Sequence, residues 1–218
     1  MTTSYPRESL SIDQQLALRA AATNLQRQFD GTFGAETNER FLHSSYDEFA
    51  GRAVILSFLP LLAERFARQR LTALARVEGK HHDGVPVALF LCTHNAGRSQ
   101  MALGFFAHLA GDRAIAWSGG SDPADQINPA AIAAMAERGI DISAEYPKPW
   151  TDEVVRAADV VITMGCGDAC PVFPGHRNLD WAVDDPAGLD LAAMRPIRDD
   201  IERRVRDLLD DIHVPAHA

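Results

Sequence analysis

Val85-Pro-Val-Ala-Leu-Phe-Leu91 is a short apolar run that leads without a spacer into Cys92-Thr93-His94-Asn95-Ala96-Gly97-Arg98-Ser99. From there the chain enters a helical pattern over residues 99–110, with Ala102, Phe106 and Leu109 on one face. A continuous apolar run of this length suits a strand buried on both faces. A buried strand that turns through a short loop straight into a helix is the first half of a βαβ unit, so this segment commits the C-terminal part of the chain to an α/β fold. The alternation continues. Ala114–Ser118 reads as a second strand, and Asn128 followed by Pro129 reads as the cap and first position of a helix that runs to Gly139. Asp159–Thr163 is a third strand, Asn178–Ala182 a weaker fourth, and Met194, Ile197, Ile201, Val205 and Leu208 form the stripe of a C-terminal helix. Right-handed crossovers between such strands give a four-stranded, mostly parallel sheet with helices on both faces. Ligands of such sheets sit beyond the carboxyl ends of the strands, where Cys92 falls.

The chain ahead of this segment has a different rhythm. Leu18, Ala22, Leu25 and Phe29 recur at helical steps, with Gly31 as a stop, and Leu42, Tyr46 and Phe49 continue the period up to Gly51. Leu59, Leu62, Phe66, Leu74 and Val77 mark a third helix, with Pro60 either in its first turn or at a kink. The polar stretch Glu78-Gly-Lys-His-His-Asp-Gly-Val-Pro86 reads as a linker. The expected organisation is an all-α three-helix domain over residues 1–82 and an α/β domain over 83–218. A bundle of about 80 residues has a marginal core. Its leftover apolar faces point to docking or dimerisation, and a homodimer is expected.

The formal net charge of −9 is unevenly spread: residues 1–80 hold 10 basic and 9 acidic side chains, residues 81–218 hold 11 and 21. No basic face is visible, which argues against nucleic acid as a partner. An anion bound by the acidic half must be held by locally focused donors. With 46% hydrophobic and 23% charged residues the composition is that of an ordinary globular protein. No apolar run approaches a membrane span, and the first residues lack the basic-then-apolar order of a signal peptide. A cytoplasmic location without membrane association is expected.

The loop from Cys92 to Ser99 has the makings of an anion cradle. Backbone N–H groups of a loop wrapped over a helix N-terminus point inward and the helix dipole adds positive potential, so a tetrahedral oxyanion fits. Gly97 permits a tight turn, and Arg98 can clamp two oxygens with its planar fork. Asn95 tolerates a positive φ and can lock the loop through its amide, while Thr93, His94 and Ala96 complete the cradle. The same field favours a thiolate at Cys92, to which Ser99 can donate. The bland alternative is a buried structural cysteine beside a surface arginine. That suits a lone cysteine, but here strand, loop, arginine, serine and helix follow in the order the chemistry needs. Only three cysteines exist, Cys92, Cys166 and Cys170. An odd, small number suggests reactive thiols over a disulfide scaffold.

Cys92-Thr-His-Asn-Ala-Gly-Arg-Ser-Gln-Met-Ala102 resembles the catalytic loop of the arsenate reductases that share the low-molecular-weight tyrosine phosphatase fold. Val160-Val-Ile-Thr-Met-Gly-Cys166 and Asp185-Pro-Ala-Gly188 are similar to later elements of that family. The resemblance covers about residues 85–212, and the helical part resembles an extension found on some actinobacterial members, for which it implies dimerisation. It implies arsenate as substrate, no cofactor, and a thiol system as reductant: thioredoxin, or mycothiol with mycoredoxin. In the family the aspartate before the proline protonates the leaving oxygen, which falls on Asp185, with Asp184 as a neighbouring competitor. A solvated acidic turn is the alternative. The phosphatases carry aromatic residues just after this Asp-Pro, whereas Ala187 and Gly188 stand here and offer no platform for phosphotyrosine. Leu103 stands where some reductases place a glutamate that helps hold potassium, so no metal is expected.

Reducing arsenate takes two electrons. Cys92 would form a sulfur–arsenic bond, Cys166 would attack Cys92 to release arsenite, and Cys170 would move the disulfide outward by exchange. Four residues of helix rise about 6 Å, within the Cα separation of about 4.4–6.8 Å that a disulfide spans, and Gly165 and Gly167 flank Cys166. Zinc binding by the C-x-x-x-C pair lacks a second ligand pair at suitable spacing, and His81, His82 and His176 are poor substitutes. The resulting expectation is a thioredoxin-coupled arsenate reductase. Competing readings are an arsenate–mycothiol transferase that uses Cys92 alone, a low-molecular-weight protein tyrosine phosphatase, and a non-catalytic oxyanion sensor.

Overall fold

The structure is a computed structural model and describes residues 10–51, 58–80, 84–165 and 175–215; Cys166, Cys170, His81 and His82 lie outside them. The chain divides into two compact units, residues 1–81 and 82–218.

The first unit holds helices α1 (Ile12–Gln28), α2 (Ala35–Ala50) and α3 (Leu59–Val77). Ser11 opens α1 with a reciprocal cap: its hydroxyl accepts from Gln14 N, and the Gln14 amide accepts from Ser11 N at 3.0 Å. Two donors left over at the helix end are thereby satisfied. Pro60 lies in the first turn of α3, not at a kink, where its missing N–H costs nothing. The interior differs in detail from the expected stripe. Ala21, not Ala22, is buried on α1, and Ala63, Ala67, Leu71, Ala73 and Ala75 join Leu59 and Phe66 on α3 while Leu62 and Leu74 stay half-exposed. The reason is that α3 packs against both α1 and α2, so small alanines let two neighbours approach. Phe66 meets Phe49 of α2 edge-on at 5.5 Å.

The second unit is a four-stranded parallel sheet in the order β2-β1-β3-β4, formed by β1 (Val87–Cys92), β2 (Ile115–Gly120), β3 (Val160–Thr163) and β4 (Arg177–Asp180). Its helices are α4 (Arg98–Ala110), α5 (Pro129–Ala136), α6 (Asp152–Ala157) and α7 (Leu191–Asp211). All six residues of β1 are buried. Ala88, Phe90 and Cys92 belong to the core shared with α4, α5 and α7, while α6 packs on β1 as well. Phe90 lies between Phe106 at 5.6 Å and Trp181 at 5.9 Å. Asn128 caps α5 as its Asn-Pro signature predicts, its side chain accepting from Ala130 N at 2.9 Å.

Most boundaries move by a few residues relative to the sequence expectation: β2 runs over Ile115–Gly120 where 114–118 is expected, β4 over Arg177–Asp180 where 178–182 is expected, and α5 ends at Ala136, short of Gly139. β1 starts two residues late and ends on Cys92 itself, because it pairs from Val87 through Cys92 with Ile115 through Gly120. Asp159 stands before β3, and its carboxylate accepts from Val87 N at 2.8 Å, which pins the entrance to β1. The six-residue α6 is too short for a helical period to show in sequence. On the far side of the core, Arg195 and Arg198 of α7 bind Glu137, just past α5, at 2.6 and 2.8 Å. These partners, Arg195 first and Arg198 second, hold the Glu137 carboxyl down to about 2.

Candidate active site

The loop between β1 and α4 is shaped by the segment that follows β2. Thr93 O accepts from Asp122 N, His94 O from Ala124 N and Ala96 O from Asn128 N, each at 2.9 Å. In a trans peptide the carbonyl of one residue and the N–H of the next point opposite ways. Anchoring these three carbonyls outward therefore turns the N–H groups of His94, Asn95 and Gly97 inward, a concave nest of donors. One inward donor has its partner already: Asn95 N–H donates to Cys92 Sγ at 3.2 Å. Asn95 sits at φ 47°, the left-handed conformation its residue type tolerates. Among the described residues no side chain caps the N-terminus of α4, so the N–H groups of its first turn add to the positive field at Cys92.

The hydrogen bonds behind the loop have a defined direction. Lys148 N can only donate, so the Asn95 side-chain atom 3.0 Å away is the oxygen. Asn95 Nδ2 then donates to Ser99 Oγ at 2.8 Å. Ser99 Oγ lies 3.0 Å from Cys92 Sγ, and toward a thiolate, which has no proton to give, it can only donate. Cys92 Sγ thus faces two donors, the Asn95 amide and the Ser99 hydroxyl, in a site where Cys92 is only 2% exposed. This arrangement stabilises a sulfur anion. Gly120, paired with Cys92 across β1 and β2, leaves the room that the loop needs: a Cβ there would stand 2.6 Å from Thr93 O.

Arg98 is buried at 7% exposure and carries its guanidinium across the carboxyl ends of the strands. Its Nη1 donates to Val183 O at 3.4 Å, and its Nη2 lies 3.5 Å from Asp185 Oδ1. Asp185 is 60% exposed and stands at the rim, its Oδ1 also accepting from Ala187 N at 3.3 Å. The Asp-Pro turn is tied to the loop side by Asn128 Nδ2, which donates to Pro186 O at 3.3 Å. Gly165 has φ +67°, and a Cβ there would meet Arg98 Nη1 at 2.5 Å. The residue just before Cys166 thus abuts the arginine. Thr93 Oγ1 reaches Gly165 O at 3.4 Å, and the His94 ring is anchored on Asp122 O at 3.0 Å.

The structure brings Cys92, Thr93, His94, Asn95, Ala96, Gly97, Arg98, Ser99 and Asp185 to one end of the sheet; Asp184 is exposed beside them, and Cys166 and Cys170 fall outside the described residues. Two buried contributors carry no signal in sequence. Gln100 reads as a polar residue of an ordinary helix, yet it is fully buried against the loop. Lys148, between two prolines, reads as a surface lysine, yet it is 2% exposed. Its ammonium lies 3.3 Å from Ser118 Oγ and 4.7 Å from the Tyr146 ring centre. Among the described residues no three His, Cys, Asp or Glu side chains converge on a metal position. Leu103 packs partly buried against the core.

Residues 87–216 match the family model described as low molecular weight phosphotyrosine protein phosphatase, and residues 18–75 match that of a protein-tyrosine-phosphatase-like N-terminal domain. A thioredoxin-dependent arsenate reductase of Corynebacterium glutamicum has a similar structure, with 44% identity and a TM-score of 0.82, over 92% of this chain and 98% of that one. A putative arsenate reductase of Halobacterium salinarum is 37% identical over 129 residues, 57% of this chain and 91% of that protein. Arsenate reductase 1 of Staphylococcus epidermidis is 40% identical over 120 residues, 53% of this chain and 89% of that protein.

Proposed function

The chain belongs to the low-molecular-weight phosphotyrosine protein phosphatase family, and we propose that within it the chain works as an arsenate reductase coupled to thioredoxin, with Cys92 as nucleophile. The observation that carries the activity is the likeness to the Corynebacterium glutamicum enzyme, which extends over both units of the chain. The observation that supports the role of Cys92 is its sulfur held between the Asn95 N–H and the Ser99 hydroxyl at the start of α4.

The proposed reaction starts from these positions and continues through Cys166 and Cys170, which lie outside the described residues. Arsenate enters the nest with its oxygens on the inward N–H groups and on the Arg98 fork. The Cys92 thiolate attacks arsenic, a sulfur–arsenic bond forms, and one oxygen leaves as water after taking a proton from Asp185 at the rim. The Cys166 thiolate then attacks Cys92 Sγ. A Cys92–Cys166 disulfide forms, and the electron pair of the broken sulfur–arsenic bond stays on arsenic, which leaves as arsenite. Cys170 attacks Cys166, restores the Cys92 thiolate and leaves a Cys166–Cys170 disulfide, which the dithiol of thioredoxin reduces. The exposed, non-aromatic Ala187 and Gly188 beside Asp185 favour a small inorganic substrate over an aryl phosphate.

The test is arsenate-dependent NADPH consumption with thioredoxin and its reductase, followed by mass spectrometry after one arsenate addition. Cys166→Ser should stall with arsenic still bound to Cys92, and Cys170→Ser should complete one turnover and stop at a Cys92–Cys166 disulfide. Turnover of both serine variants with mycothiol and mycoredoxin alone would replace the relay by a mechanism that needs Cys92 only.

A further inference from the structure

Gln100 is the third residue of α4 and has no exposed surface. Its Nε2 lies 3.1 Å from Asn95 O, 3.1 Å from Asn95 Oδ1 and 3.2 Å from Tyr146 O. All three are acceptors, the second because Lys148 N donates to the same atom. The amide therefore has one permitted orientation, with its NH2 toward the loop and two hydrogens serving three oxygens. Its Oε1 faces the other way, buried and without a partner among the described residues. A buried acceptor with no donor is unfavourable. A leucine or methionine at this position would avoid that cost, so the polar side chain must be compensated by what its NH2 holds.

What it holds is Asn95, by main chain and side chain at once. Asn95 is the residue at φ 47° whose N–H meets Cys92 Sγ and whose amide orients Ser99. The bond to Tyr146 O ties this group to residues 146–150, which run beside β2: Gly120 N donates to Lys148 O at 2.9 Å, and Gly120 pairs with Pro149. Gln100 itself does not touch the sulfur.

We propose that Gln100 is a positioning residue for the Cys92 thiolate: by clamping Asn95 in its left-handed conformation it keeps both donors, the Asn95 N–H and the Ser99 hydroxyl, aimed at the sulfur. The proposal rests on Cys92 being the nucleophile. The charged and titratable groups described at this end of the sheet are His94 in the loop, Arg98 on α4, Lys148 with its partner Glu145 beside β2, and Asp184 and Asp185 beyond β4, and a neutral substitution of Gln100 changes the charge of none of them.

The test is the rate of Cys92 alkylation by iodoacetamide as a function of pH, read on the Cys92 peptide by mass spectrometry, in the full chain. Gln100→Leu should slow alkylation at neutral pH about tenfold and move the midpoint of the profile up by about one pH unit. In arsenate turnover kcat should fall more than KM rises. Gln100→Met, which keeps the length without the polar atoms, should behave alike and stands in if the leucine variant does not fold. In Ser99→Ala the further effect of Gln100→Leu should shrink, because both act on the same sulfur. A lowered melting temperature with an alkylation profile superimposable on the wild type would make Gln100 merely structural and overturn the proposal. Fully additive effects of the two substitutions would overturn the route through Asn95 and Ser99. Should the wild-type protein fail to reduce arsenate, the alkylation profile would still decide the part played by Gln100.

Discussion

Replacing Gly120 by alanine tests whether the proposed oxyanion loop is held by close packing against β2. Gly120 is opposite Cys92 in the sheet. A Cβ at this position would stand 2.6 Å from Thr93 O, 3.0 Å from Asn95 Cβ and 3.1 Å from Asn95 N. Reaching an ordinary contact of 3.4 Å requires the loop to retreat by about 0.8 Å. The atoms in the way belong to the backbone and to the stiff first carbon of Asn95, so no side-chain rotation relieves the clash. Overpacking of this kind costs about 1–3 kcal/mol. A displacement near 1 Å in a catalytic loop costs about a hundredfold in rate, so Gly120→Ala should lose about 10- to 100-fold in kcat/KM. Gly119→Ala is the control. Its Cβ would meet the Trp150 backbone at 2.9 Å, so it should lose comparable stability while keeping far more activity. Thermal melts and the thioredoxin-coupled NADPH assay on both variants read the two effects separately. Activity of Gly120→Ala within twofold of the wild type, or equal losses in the two variants, would refute the reasoning.

Arg98→Lys should weaken arsenate binding and lower kcat/KM by about a hundredfold, since a point charge cannot replace the bidentate fork; titration calorimetry with arsenate showing unchanged affinity would count against the cradle. Glu137 has its carboxyl lowered from 4.5 to about 2 by Arg195 and Arg198, so the stability it adds is full above about pH 4.5 and is lost as pH falls toward 2. Glu137→Gln should therefore flatten the dependence of melting temperature on pH across that window, and parallel profiles for variant and wild type would refute this. The helical unit is proposed to hold two copies together: light scattering should give twice the chain mass for the full chain and the monomer mass for a chain starting at Gly84, and equal monomer masses would rule it out.

The four strands and helices α4, α5 and α7 of the second unit were readable from residues 85–110 onward because their signals are local, whereas the short α6 was not. An apolar run, a loop ending in Arg98-Ser99, an Asn-Pro cap and a C-terminal stripe each occupy one element, and periodicity reports a single element well. The grouping of Cys92, Arg98 and Ser99, on which the proposed chemistry rests, was legible for the same reason, since all three lie within one strand–loop–helix segment. Asp185 needed a family resemblance to be singled out, because an Asp-Pro turn is common and its meeting with Arg98 spans the sheet.

What sequence by itself determined is therefore the parallel α/β frame, the three helices ahead of it and the loop that carries the proposed nucleophile. Only the tertiary structure decided which residues stand behind that loop. Lys148 N reaches Asn95 Oδ1 across 53 positions of sequence, and Gln100 reaches Tyr146 O across 46. Both contacts exist because the sheet order sets β2 against β1, and the segment 146–150 then pairs beside β2. The same holds for Gly120, which reads as an ordinary glycine until β1 brings the loop within 2.6 Å of its missing side chain. Burial of a polar residue is a property of what packs on it from elsewhere in the chain. No local period encodes that, so the frame could be read along the chain while the groups that aim donors at Cys92 emerged only from its folding.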